Sequence, residues 1–295
     1  MTEVHDSADN PTRTRFILAL LLNGFLVIIE IIYGLQSHSV ALISDAIHNV
    51  GDIFSLILSW AAFVLAKRKR SSRYTYGFKN VTILASFINS ALIMLAIGAI
   101  GWEAIQRLMH PESIHAHTVI YVAILAIIVN AATALLFFET GKNDLNFKTI
   151  YLNMAGDAAV SFGVLLAAWI ITFTAWYWLD PVASLMIGLV IVLSNWTLFK
   201  ESSNLILQAA PANIDPAAVL AYLRSVEHIA TVHDLHIWAL SSTETALSAH
   251  IVMKEEGFQK QVLNEAKQGL LKHFNIGHST LQLEFGTVED NCDLK

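Results

Sequence analysis

The chain has 295 residues, 55% of them hydrophobic and 14% charged, with a net charge of -6. Soluble domains carry about 25% charged residues, so this composition excludes an ordinary soluble protein and makes a bilayer the solvent for much of the chain. The single cysteine, Cys292, excludes an intrachain disulfide and a cysteine-based zinc knot. No nucleic-acid partner is expected.

Met1 to Thr12 is polar, and the first apolar run has no small-residue cleavage site after it, so no cleavable signal is expected. A membrane span needs about 20 mostly apolar residues. Phe16–Leu35, Val40–Ala66, Val81–Trp102, Thr118–Thr140, Leu145–Ala175 and Pro181–Phe199 meet that length. Backbone groups in lipid must be bonded within their own segment, so all six are expected to be helices. Basic residues orient them. Arg13 and Arg15 precede span 1, the loop from Lys67 to Lys79 carries six basic residues, and Lys142 and Lys148 lie where the chain passes from span 4 into the polar start of span 5. The opposite side has Arg107 alone. Both termini are therefore expected in the cytosol, with the protein multi-pass in a cell inner membrane.

From Ala209 the pattern changes. Ile214–Val226 has helical spacing, Val232–Leu240 and Ala246–Met253 alternate like strands, Phe258–Phe274 is an amphipathic helix, and Thr280–Phe285 alternates again. The order predicts a small α+β domain of ferredoxin-like type, with helices on one face of a three-stranded sheet. The expected division is a cytosolic tail over 1–15, a six-helix transmembrane bundle over 16–208, and a cytosolic α+β domain over 209–295.

Ionisable groups inside spans are costly and point to function. Span 2 contains SDAIHNVGD, with Asp45, His48 and Asp52; span 5 contains NMAGD, with Asn153 and Asp157. His48 and Asp52, like Asn153 and Asp157, are spaced i, i+4, which stacks each pair on one helix face. Two such helices side by side present one imidazole, two carboxylates and one amide oxygen to a single point, a four-coordinate divalent-metal site. Two carboxylates balance a 2+ ion and offset the cost of its burial. Both pairs fall near mid-span, as alternating access requires. The competing reading is a polar cluster that only joins helices.

At these residues the sequence resembles the cation diffusion facilitator family, in its bacterial zinc-exporting branch. The likeness runs from about Phe16 to Phe285 and includes SHSVALISDAIHNVGD, YTYGFKNVTILASFIN, WEAIQRL and HDLHIW. The resemblance implies a homodimer, one transport site per protomer from spans 2 and 5, exchange of a divalent transition metal for protons, and a cytosolic copper-chaperone-like domain that binds metal. In that domain motif position marks His233, His250 and Glu284 as metal ligands. Gln282 stands where some relatives have a further His. The zinc branch usually has His where Asn153 stands; manganese-transporting relatives have Asn there but Asp at the place of His48. Zinc remains favoured, with cobalt and cadmium as co-substrates and manganese or ferrous iron as the alternative.

His236, three residues beyond His233, is expected on the opposite strand face. Asp45 is open between drawing cations and a capped or solvated role. Glu30 is open between a structural hydrogen bond and the ion pathway, while Glu103 and Glu139 read as boundary residues. Asn23, Asn89 and Asn130 read as interhelical hydrogen-bonding groups. His5, Asp6 and Asp9 belong to a solvated tail. The loop at Lys67–Arg73 has no carboxylate or His, so no metal is expected there, and contact with membrane lipid is its natural role. A proton-coupled exporter of organic cations is a further alternative, though it would want aromatic walls. No catalytic residue or cofactor is expected. Nucleotide-binding, hydrolase and metalloprotease patterns are missing, which argues against an enzyme and against an ATP-driven pump.

Overall fold

The computed structural model describes residues 10–141 and 145–286. His5, Asp6, Asp9, Lys142 and Cys292, and the side chains of Arg13, Arg15, Glu139 and Lys148, lie outside what it describes. Six long helices come first: α1 (Asn10–Ser37), α2 (Val40–Ala66), α3 (Val81–Met109), α4 (Ala116–Gly141), α5 (Leu145–Thr174) and α6 (Leu179–Ile206). Each contains a stretch long and apolar enough to cross a membrane. Then come α7 (Pro216–Ser225), β1 (Ile229–Ala239), β2 (Thr245–Met253), α8 (Gln259–Phe274) and β3 (His278–Phe285). The α-β-β-α-β order of the tail is the one its alternation predicts. The helices run beyond the apolar windows because polar residues at their ends still propagate the backbone ladder. Arg107 sits in the last turn of α3 and pairs with Glu103 at 2.9 Å.

The chain forms two compact units. The first holds residues up to Ile57 together with Asn89–Trp196. Its core takes Val40 from α2, Ile97 from α3, Val119 from α4, Val164 from α5 and Ile187 from α6. Outward-facing Leu21, Leu95, Tyr121, Phe173 and Leu193 are exposed, as suits side chains that meet lipid. Polar pairs tie the helices: Asn23 on α1 donates to Thr133 on α4 at 3.4 Å, and Asn89 on α3 donates to Ser55 on α2 at 2.6 Å. These are the interhelical bonds expected of Asn23 and Asn89. Asn130 is fully buried, with neither amide atom hydrogen-bonded.

The second unit combines Leu58–Ile88 with the residues from Thr197 onward. Its three-stranded sheet has the order β1-β2-β3, with β1 antiparallel to β2 and β2 parallel to β3. A parallel pair needs a crossover, which α8 supplies. Asp215 starts α7 by accepting from the Ala217 backbone N–H at 2.9 Å, followed by Pro216 at the first helical position. Asn275, left-handed at φ 55, ends α8. Both helices pack on one apolar core with Val232, Leu247 and Ile251 of the sheet. At Gly269 on α8 an added Cβ would lie 1.6 Å from the Tyr222 hydroxyl oxygen, so any larger residue there requires the Tyr222 ring on α7 to shift.

The loop between α2 and α3 is more than a solvated basic segment. Within this unit Lys79 pairs with Glu244, the Ser242 backbone N–H donates to Thr82 Oγ1 at 3.0 Å, and the Tyr76 ring meets His278 edge-on.

Candidate metal centres

In α2, His48 and Asp52 stack one turn apart; in α5, Asn153 and Asp157 do the same. The two helices bring these residues together. His48 Nε2 lies 3.1 Å from Asp157 Oδ1, and Asn153 Nδ2 donates to Asp52 Oδ2 at 2.8 Å. Ligand atoms of His48, Asp52 and Asp157 all fall within 4.8 Å of one another. Asp157 is only 2% exposed, and its Oδ2 has no hydrogen-bond partner. The donor set suits a borderline divalent ion: imidazole and carboxylate serve zinc and cobalt, and an amide oxygen is a harder, weaker ligand.

Two further acids crowd this site. Asp45, one helical turn before His48, is fully buried and accepts from Ser161 of α5 at 2.8 Å. Glu30 of α1 is fully buried and accepts from Asn49 of α2 at 3.0 Å. Asp45 is thus neither solvated nor a cap. The start of α2 is capped by Asp180 of α6, which accepts from Ser39 Oγ at 2.5 Å and from the Val40 N–H at 2.7 Å. Sequence reasoning missed Asp180. The signal was available in an acid directly before Pro181 at the head of an apolar run, the composition of a helix start.

A second cluster lies on the sheet. His233 on β1 faces His250 on β2, and Glu284 on β3 sits diagonally across. Glu284 Oε2 accepts from His233 Nε2 at 3.0 Å, and Oε1 lies 2.9 Å from His250 Nδ1. Ligand atoms of the three residues fall within 4.8 Å of one another. Partial burial works to raise the Glu284 carboxyl, but hydrogen bonds from His233 and Gln282 and the neighbouring His250 hold it below the usual glutamate range. Gln282 donates to Glu284 at 2.9 Å, so it braces that carboxylate.

His236 departs from its expected face. The β1–β2 register shifts between His233 and His236, so His233 pairs with His250 and His236 with Ser248. Residues opposite one another share a face, and 248 and 250 are two apart, so both histidines project from the same side. The bulge puts Asp234 in the left-handed region at φ 51. Its carboxylate lies 2.8 Å from His236 Nε2 and 3.6 Å from His250 Nε2.

The model of the cation efflux transmembrane domain matches residues 16–207, and that of the cation efflux protein cytoplasmic domain matches residues 211–285. The chain belongs to the cation diffusion facilitator family. It is 35% identical over 273 residues to the metal cation efflux system protein CzcD of Cupriavidus metallidurans, covering 92% of this chain and 86% of that one. It is 33% identical to a cadmium, cobalt and zinc/H(+)-K(+) antiporter of Bacillus subtilis, covering 90% and 86%. The zinc transporter ZitB of Escherichia coli is 28% identical over 96% of this chain and 91% of its own. A solved metal-bound C-terminal domain of the CzcD transporter covers 24% of this chain, with 38% identity and a TM-score of 0.23. Membership of this family places the chain among membrane transporters rather than enzymes.

Proposed function

We propose that this protein exports a divalent transition-metal ion, zinc foremost and cobalt and cadmium beside it, in exchange for a monovalent cation moving inward. The observation that carries the reading is the convergence of His48, Asp52 and Asp157 within 4.8 Å between two apolar helices. The relatives named for cadmium, cobalt and zinc antiport support the substrate class, and the name of the Bacillus relative, with its protons and potassium, supports the exchange. Asn153, in the same cluster, is the fourth ligand.

The metal is cargo, so the site must bind it and let it go. Asp52 and Asp157 neutralise the ion, and His48 adds a nitrogen donor. A proton competes with metal for each of these lone pairs, and imidazole is the side chain that ordinarily changes charge near neutral pH. The ligand groups also contact one another, His48 lying 3.1 Å from Asp157 and Asn153 donating to Asp52 at 2.8 Å. Basic residues at Lys67–Lys79 support cytosolic termini and an inner-membrane location. The match of the tail to the family's dimer domain supports a homodimer. His233, His250 and Glu284 form a separate cytosolic site that holds a regulatory ion. Manganese or ferrous iron is the alternative cargo, favoured by the amide oxygen of Asn153.

The test is uptake of radioactive zinc into proteoliposomes under an imposed pH gradient. His48→Ala and Asp157→Ala are each expected to lower uptake at least about a hundredfold, since each removes a ligand of a buried ion. Wild-type rates in either variant would overturn the site.

A further inference from the structure

The four-ligand site leaves two carboxyl groups unexplained. Glu30 and Asp45 are both 0% exposed. Among the described residues Glu30 Oε2 has a donor in Asn49, but Oε1 has none; Asp45 Oδ2 has a donor in Ser161, but Oδ1 has none. A carboxylate offers about four acceptor positions, so each of these uses one. Neither forms an ion pair with Lys or Arg among the described residues. The titratable groups that act on Glu30 are Asp45, Asp157 and His48, and those that act on Asp45 are His48 and Asp157. Buried polar groups need partners and buried charges need counter-charges. A divalent ion between Asp52 and Asp157 is already balanced by those two carboxylates, which leaves nothing over for Glu30 and Asp45.

We propose that Glu30 and Asp45 form a subsite of their own for the exchanged monovalent cation, beside the metal quartet and separate from it. The donors of this subsite are oxygens only, from two carboxyl groups with an amide and a hydroxyl alongside. That set takes a proton or a hard monovalent cation such as potassium in preference to a transition metal. Asp45 stands one helical turn from His48, so the subsite and the quartet feel each other's charge through a low-dielectric interior. A divalent ion arriving at His48 repels the cation held by Glu30 and Asp45, and its departure draws that cation back. Such coupling is reciprocal by linkage. It moves part of the exchange away from the metal ligands, which matters because Asn153 cannot carry a proton.

This inference rests on the exchange reading above, and its test separates the two. Full-length protein in liposomes is assayed for zinc binding, for zinc–zinc exchange without a gradient, and for zinc transport driven by a pH gradient or by a potassium gradient. The Glu30→Gln/Asp45→Asn double variant keeps size and one acceptor oxygen per side chain but removes both charges. It is expected to hold zinc affinity and zinc–zinc exchange within about threefold of wild type, while acceleration by the monovalent gradient falls about tenfold or more. Loss of the pH response alone identifies the proton, and loss of the potassium response alone identifies potassium; either supports the subsite. A double variant that responds to both gradients like wild type overturns it, as does one that loses zinc binding together with the response. The single variants Glu30→Gln and Asp45→Asn are read by the same criteria if the double variant does not fold. Wild-type protein that moves no zinc overturns the transport reading and this inference together.

Discussion

Asn153 is the proposed ligand that differs from the His the family resemblance implies at its position. Its amide donates to Asp52, and its oxygen is the only part of it able to meet a cation. Replacing it with His adds a nitrogen donor at the same point in the cluster. Asn153→His is expected to tighten zinc binding about tenfold and to move preference toward zinc over manganese, checked by metal competition on purified protein. Unchanged selectivity would remove Asn153 from the ligand set. The i, i+4 pairs at 48/52 and 153/157 were legible because helical periodicity alone stacks them. The partners of Glu30 and Asp45 were not, because Asn49 and Ser161 look like ordinary packing residues until tertiary contacts bring them opposite an acid.

At the scale of elements, apolar length located all six long helices, and period-two alternation located the strands of the tail. The bulge in β1 escaped that reading. Alternation counts residues, and an inserted one reverses the face of everything after it; His236 therefore returns to the face of His233. No rule of composition marks Asp234 as the residue that takes φ 51. The α7–α8 contact was equally hidden, since Gly269 lies mid-helix where glycine is ordinarily a cost. Gly269→Ala is expected to destabilise the tail domain by about 1–3 kcal/mol through the clash with Tyr222. Thermal unfolding of full-length protein would show a lowered transition. An unchanged midpoint would mean that Tyr222 swings clear without cost.

For the whole molecule, orientation decides whether exchange empties or fills the cytosol. The sign rests on the six basic residues between Lys67 and Lys79 against Arg107 on the other side. If both termini are inside, as the proposed orientation has it, Cys292 is expected to resist a membrane-impermeant maleimide in intact cells and to react once the cells are opened. Labelling of intact cells would invert the topology and turn export into uptake.

The Asp180 carboxylate has a mechanical consequence. It fastens the first turn of α2 to the first turn of α6 through Ser39, Val40 and Ala41, so neither helix can slide along the other without breaking that clasp. Motion of α2 relative to α6 is then a rocking about a fixed fulcrum. At 1.5 Å per residue His48 lies about 12 Å along the lever, so a tilt of about 10° carries it roughly 2 Å, enough to undo a ligand bond, while Val40 hardly moves.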